Sequence, residues 1–359
     1  MTTGIVYHTE FLAHEQHPLH PERRERLAYT DDQITEEGLW EDPRIARLDP
    51  RYASREELSR VHDEHYLEFL EQSSRTGGVI DLDTLIPPGL FTQARLAAGG
   101  ALVAGESVMA GVVRNAFAMV RPPGHHAGTY SGAGFCYLNN IAIMVQSLKN
   151  LGCRRILILD WDAHHGNGTQ EIFYEDPDVL FTSIHQSPFY PGSGDVTEIG
   201  AEEGRGYTIN MPVPAGSSDE VYQYLLSEVI VPVAEEFKPD FIAISAGQDN
   251  HFSDPLTGLA LTAKGYASMM ASAVGIADQE CAGRLAAILE GGYSVEGGLP
   301  YTNIGIIAAL AGMNLSNIRD PSSYESLLQQ ARDPAALSRV EAMVGRIRET
   351  HGDVWSCLS

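Results

Sequence analysis

Short runs of branched and aromatic apolar residues recur along the chain, and most close on a cluster of polar side chains. Bounded by turn residues, such runs read as buried strands; the longer stretches between them, apolar at helical spacing, read as helices. The pattern predicts a first strand at 1–8, further strands at 116–120, 156–159, 179–184, 207–211, 240–245 and 285–289, and helices at 138–149, 169–175, 218–237, 262–277 and from about 299. A helix at 92–111, rich in alanine and glycine, is expected to be buried. An amphipathic surface helix is expected at 56–72, a surface loop at 77–89 and a polar helical tail from about 318. Strands alternating with helices imply an α/β fold, a parallel sheet with helices on both faces. No repeat or linker interrupts the pattern, so 1–359 reads as a single domain.

In such a sheet the site lies beyond the carboxyl ends of the strands. The run at 156–159 passes directly into Asp160, Asp162, His164, His165, Gly166, Asn167 and Gly168. A buried strand does not carry that polar load unless something holds it, because unpaired buried charge is very costly. Alternate side chains of an extended chain share a face, so Asp162 and His164 project together as half a metal site. Asp249, after the strand at 240–245, is the third donor. Three protein ligands with an open position suit catalytic zinc, although two oxygens and one nitrogen also suit iron(II), cobalt or manganese.

The plainer readings are a solvated turn at 160–168 and a capping role for Asp249. Convergence weighs against them, since His125 and His126 follow a Pro-Pro-Gly turn and Tyr293 follows Glu290, Gly291 and Gly292, each beyond another strand. Alone, a His-His pair is more often structural, and the tyrosine would pack on the next helix. Asp160 and Asn167 are left over from the ligand set as partners for the histidines. A carboxylate partner makes an imidazole more basic and an amide oxygen less so, so the pair can hold different protonation states at one pH. With Tyr293 as a donor to an oxyanion, this is the equipment of a metal hydrolase.

Charge narrows the partners. Twenty-four basic against 48 acidic side chains leave a net charge of −24, which gives no general attraction to nucleic acid and favours cationic partners such as lysine-rich segments or polyamines. Solubility alone is the other reading of that charge. No apolar run is long enough to span a bilayer, and no export signal opens the chain, so a cytoplasmic protein without membrane partners is expected. Cys136, Cys153, Cys281 and Cys357 are too dispersed for a disulfide framework or a zinc knuckle. His14, His17 and His20 sit among prolines and read as a loop entering a helix rather than as ligands. A homo-oligomer is compatible with the sequence.

The segments 121–128, 134–140, 160–170, 191–194 and 290–293 together resemble the zinc-dependent histone deacetylase superfamily, which includes acetoin-utilization proteins and acetylpolyamine amidohydrolases. The likeness runs in order from His20 to about residue 312, and Trp161 and Asn167 look like the class II branch. It implies an arginase-like fold with a mostly parallel eight-stranded sheet and zinc on Asp162, His164 and Asp249. It makes His126 the general base and acid, His125 an electrostatic partner held by Asp160, and Tyr293 the oxyanion donor. Gly134, Phe135 and Tyr190 would line a tunnel for an acyl-lysine chain. Potassium would bind at Asp160, Asp162, His164 and Ser183 and again near Phe173, Asp176, Val179 and Tyr207, and Arg23 would stand at the exit of the acyl product.

Three departures bear on substrate. Tyr190 stands where phenylalanine is usual, Gln248 replaces an aromatic residue before Asp249, and Leu256 stands where a class II polyamine deacetylase would carry a glutamate. The last favours acyl-lysine in peptides or proteins over a small acylated amine. A catalytically weak acyl-lysine-binding protein and a two-manganese hydrolase are the remaining alternatives; the second would need bridging carboxylates that 160–168 does not offer.

Overall fold

The computed structural model describes residues 2–359. In chain order its strands are β1 (Thr3–Val6), β2 (Ile45–Leu48), β3 (Gly78–Val79), β4 (Leu85–Ile86), β5 (Asn115–Ala118), β6 (Ile156–Asp160), β7 (Val179–Gln186), β8 (Thr208–Val213), β9 (Phe241–Ala246) and β10 (Leu285–Leu289). All but β3 and β4 form one eight-stranded sheet in the order β2-β1-β5-β10-β9-β6-β7-β8. Every neighbouring pair in it is parallel. This is the α/β architecture that the alternation predicts; Met1, at the head of the expected first strand, lies outside the described residues.

The strands β5, β6, β7, β9 and β10 are buried at every position, which explains why they read as continuous apolar runs rather than alternating ones. The helix Leu90–Met109 packs against β1, β5 and β10. Its glycines answer to a close approach, since a Cβ on Gly99 would stand 1.6 Å from the carbonyl oxygen of Arg51. Register aligns the strand ends: Asp160 pairs with Ser183 and with Ser245, and Leu289 with Ala246. The loops that leave β6, β9 and β10 therefore start at one level of the sheet.

Several expectations change. The helix at 56–72 is two helices, Arg55–Leu58 and Glu64–Thr76, because Asp63 caps a fresh amino terminus by accepting from the His65 amide. The loop at 77–89 holds the antiparallel pair β3–β4. The helix at 218–237 carries a π turn at Leu226–Ile230, just before Pro232, whose missing N–H breaks the regular ladder. The strand β2 has no sequence counterpart because its edge residues are only half buried. The tail is helical as expected, but Ala336–His351 buries Val340, Met343, Val344 and Ile347 and packs against β8.

Candidate active site

The loops leaving β6 and β9 bring three donor atoms together. His164 Nδ1 lies 3.1 Å from Asp162 Oδ1 and 2.9 Å from Asp249 Oδ2, and all three donors fall within 4.8 Å of one another. Both carboxylates are buried. The amides of Gly291 and His164 donate to Asp162, each at 2.8 Å, and that of Ala163 donates to Asp249 at 2.8 Å. A Cβ on Gly247 would stand 2.0 Å from Asp162 Oδ2, and one on Gly291 2.4 Å from Asp249 Oδ2. Only glycine lets these loops close over the carboxylates. Two buried acids around one imidazole, with no sulfur, form a donor set that calls for a divalent cation and suits zinc.

Beside this triad lie the two histidines, with ring centroids 4.1 Å apart. His125 Nδ1 is 3.1 Å from Asp160 Oδ2, and His126 Nδ1 is 2.7 Å from Asn167 Oδ1. Burial pulls His125 down, but Asp162 and Asp160 outweigh it and raise its pKa to about 10. For His126, burial together with the charges of His125 and His164 holds the pKa well below the ordinary value. Burial and the surrounding charges thus divide the pair into a charged and a neutral imidazole, and the Asn167 bond, which pulls His126 upward, does not reverse this. Because Asn167 Oδ1 can only accept, His126 Nδ1 carries the proton and Nε2 keeps its lone pair.

Asn167→Asp is expected to raise the pKa of His126 by placing a carboxylate on Nδ1. A base works only when neutral, so the acidic limb of the kcat/KM profile should move to higher pH by about one unit or more. An unmoved limb would separate His126 from the proton transfer.

Tyr293 follows β10 and is buried, and burial raises its hydroxyl well above the ordinary pKa, so it remains a donor. Its amide donates to Asp254 Oδ2 at 2.7 Å, and Asp254 Oδ1 accepts from the Leu256 amide at 2.9 Å. One buried carboxylate thus ties half-buried Leu256 to the Tyr293 loop. Phe135 meets the Tyr293 ring edge-on at 5.7 Å, and Tyr190 meets His126 edge-on at 5.2 Å. Gly134 and Phe135 both have positive φ, 51° and 68°, and a Cβ on Gly134 would come within 2.5 Å of His126. Phe135 thus holds a strained backbone conformation beside the Tyr293 ring.

Arg23, expected near the acyl exit, is partly exposed and pairs with Glu25. The arginine at the site is Arg26, fully buried, with its guanidinium 4.9 Å from the Tyr293 ring centroid. It donates to the carbonyls of Gly292, at 2.6 Å, and of Glu290. Glu22, four residues earlier, pairs with it at 3.1 Å and with Arg121 at 2.5 Å; the i, i+4 spacing marks that pair but does not place Arg26 at the site. Phe189, 5.2 Å from His164, also went unrecognised, since an aromatic in a proline-rich loop carries no pattern. His20 meets Phe135 edge-on at 4.5 Å, as a loop residue.

The residues expected to hold potassium are spread along adjoining strands and turns. Ser183 faces Asp160 across the β6–β7 register, with its Oγ 2.9 Å from His185 Nδ1. The amides of Asp176, Val179 and Phe181 donate to the carbonyls of Phe173, Asp176 and Tyr207 at 3.1, 3.3 and 2.8 Å, and Lys149 pairs with the Asp176 carboxylate at 2.5 Å. Asp160 is engaged with His125 and the Asp162 amide. Donor atoms of His125, Cys136 and Glu290 also come within 4.8 Å of one another. There His125 Nδ1 is committed to Asp160 and one Glu290 oxygen to the amides of Gly124 and His125.

An open divalent site, an acid–base histidine pair and a phenol at the carboxyl edge of a parallel sheet define a metal-dependent amide hydrolase. The histone deacetylase domain model matches residues 20–301, and the chain belongs to that family. It is 59% identical over 359 residues, the full length of both, to a probable deacetylase of Archaeoglobus fulgidus. It is 40% identical over 281 residues to a histone deacetylase-like amidohydrolase of Pseudomonas aeruginosa, covering 77% of this chain and 73% of that one. The crystal structure of the HDA15 HD domain superposes with a TM-score of 0.88 at 31% identity, covering 99% of this chain and 96% of the other.

Proposed function

We propose that the chain is a zinc deacylase that removes acetyl or related acyl groups from lysine side chains in peptides or proteins. The observation that carries this is the division of the histidine pair beside the donor triad, His125 on a carboxylate and His126 on an amide. Asp162, His164 and Asp249 would hold zinc, which when bound polarises the amide carbonyl and activates water.

His126 Nε2 takes the proton of the attacking water and returns it to the departing lysine amine. His125, kept charged by Asp162 and Asp160, favours the negative charge that develops nearby. The Tyr293 hydroxyl donates to the oxyanion. Gly134, Phe135 and Tyr190 form the walls along which the lysine methylenes run, and Leu256 adds apolar surface at the Tyr293 side. Potassium would be held by Asp160, Asp162, His164 and Ser183, and by Phe173, Asp176, Val179 and Tyr207, and would supply positive charge beside the buried carboxylates.

With zinc-loaded protein, an acetyl-lysine peptide is expected to turn over with a higher kcat/KM than N-acetylputrescine. Faster cleavage of the polyamine would transfer the function to small acylated amines, and no turnover of either despite bound zinc would favour a binding protein.

A further inference from the structure

The segment 318–324 lies beyond the residues that the family model matches, yet it reaches both loops that carry the site. His251 Nε2 is 2.7 Å from Asp320 Oδ1, His251 Nδ1 is 2.8 Å from Ser253 Oγ, and Ser253 Oγ is 2.6 Å from Ser294 Oγ. Ser294 Oγ accepts from the Gly298 amide at 3.1 Å. The Ser253 amide also donates to His251 Nδ1, at 3.2 Å, which makes that nitrogen the acceptor and places the proton on Nε2. One sense of donation then satisfies the whole row, from Gly298 to Ser294, Ser253, His251 and finally Asp320.

The row begins beside Tyr293 and passes through the loop of Asp249. His251 follows that ligand by two residues, and Ser253 precedes Asp254, the carboxylate that holds the Tyr293 amide. A second tie is independent of the first. A Cβ on Gly297 would stand 2.3 Å from the Tyr324 ring, so this ring lies directly on the Tyr293 loop, and it also meets Phe252 edge-on at 6.2 Å. Elsewhere 317–322 borders a cleft of about 800 Å³, bounded on the far side by Glu37, Tyr301 and Ile304. The polar row and the tyrosine tie this stretch to the two loops, while the Ala263 amide, donating to Asp320 at 3.2 Å, and Ile318 beside Gly305 hold it to the neighbouring helices.

We propose that 318–324 is a clamp that sets Tyr293 against Asp249, with Asp320 and Tyr324 as its positioning residues. A donor to an oxyanion is effective only within a narrow window of distance, and the two loops come from different strands with no other covalent tie. The Asp254 carboxylate fixes the tyrosine's amide from one side, and the clamp fixes the following turn from the other. The proposal rests on the deacylase reading of the site, so its test includes a measurement that needs no turnover.

The full-length, zinc-loaded protein is compared with Asp320→Ala, Tyr324→Ala and Asp320→Asn, the last of which keeps an oxygen to accept from His251. For both alanine variants kcat on the acetyl-lysine peptide should fall about 10-fold or more with KM within about twofold. Asp320→Asn should recover most of the loss. On a Tyr293→Phe background Asp320→Ala should cost little further, because both changes act through one hydroxyl. Amide hydrogen exchange across 293–298 should quicken in Asp320→Ala. Unchanged kcat, the same loss on the Tyr293→Phe background, or unchanged exchange would overturn the clamp. If the unmodified chain cleaves no acyl-lysine peptide, the deacylase reading falls and exchange alone decides the clamp. Should Asp320→Ala not fold, Ser253→Ala cuts the same row and replaces it.

Discussion

Tyr293→Phe is expected to lower kcat by about 10²- to 10³-fold while leaving KM for an acyl-lysine peptide nearly unchanged. The reasoning separates the ring from its hydroxyl. The ring is buried, with the Arg26 guanidinium 4.9 Å from its centroid and Phe135 edge-on at 5.7 Å, and phenylalanine keeps all of that packing. The loop conformation rests on the Tyr293 amide and Asp254, which the substitution does not touch. What goes is a donor whose proton burial makes hard to remove, and the bond it offers is strong only when the carbonyl oxygen becomes an oxyanion. Such a bond appears in kcat and not in ground-state binding. Steady-state kinetics with thermal unfolding as a control would decide. A change of less than about threefold, with the protein folded, would remove Tyr293 from the oxyanion role.

How far the sequence reaches is visible in the contrast between Asp249 and Arg26. Asp249, Asp162 and His164 sit where buried apolar runs end, and a parallel sheet sends all such ends to one edge, so their meeting follows from topology. That Asp160 and Asn167 partner the two histidines follows for a similar reason, since both flank the ligands at the end of β6, whereas which histidine takes which partner is implied only by the family resemblance. Arg26 depends on something the pattern does not encode. It comes from a helix near the amino terminus, and its partners are the backbone carbonyls of Glu290 and Gly292, which leave no mark on side-chain spacing. The edge strand β2 and the break in the helix at 56–72 escaped for local reasons. One is a half-buried strand without strong alternation, and the other turns on a single capping aspartate. Tail packing was hidden because the apolar stripe of Ala336–His351 is narrow within a charged stretch.

Removal of the divalent ion by a chelator should abolish turnover, zinc should restore it, and the uptake of zinc should release about one proton per ion near pH 8. The proton is the discriminating part. Burial opposes charge on His164, but Asp249 and Asp162, 2.9 and 3.1 Å from its Nδ1, outweigh it and raise its pKa to about 10 without metal. In the chelated protein this imidazole therefore bridges the two carboxylates as a cation, in the place where the ion belongs. To bind a metal it must become neutral, so the metal-free state holds a proton that the loaded state lacks. The sign follows directly. Below pH 10 apparent affinity rises with pH, by about tenfold per unit between 7 and 9, and it levels off once His164 is neutral in both states. Calorimetry of zinc binding in two buffers of different ionisation enthalpy counts the protons. Heats that do not depend on the buffer at pH 8 would mean that Nδ1 carries no proton to displace, and the cationic His164 of the chelated protein would then have to be abandoned.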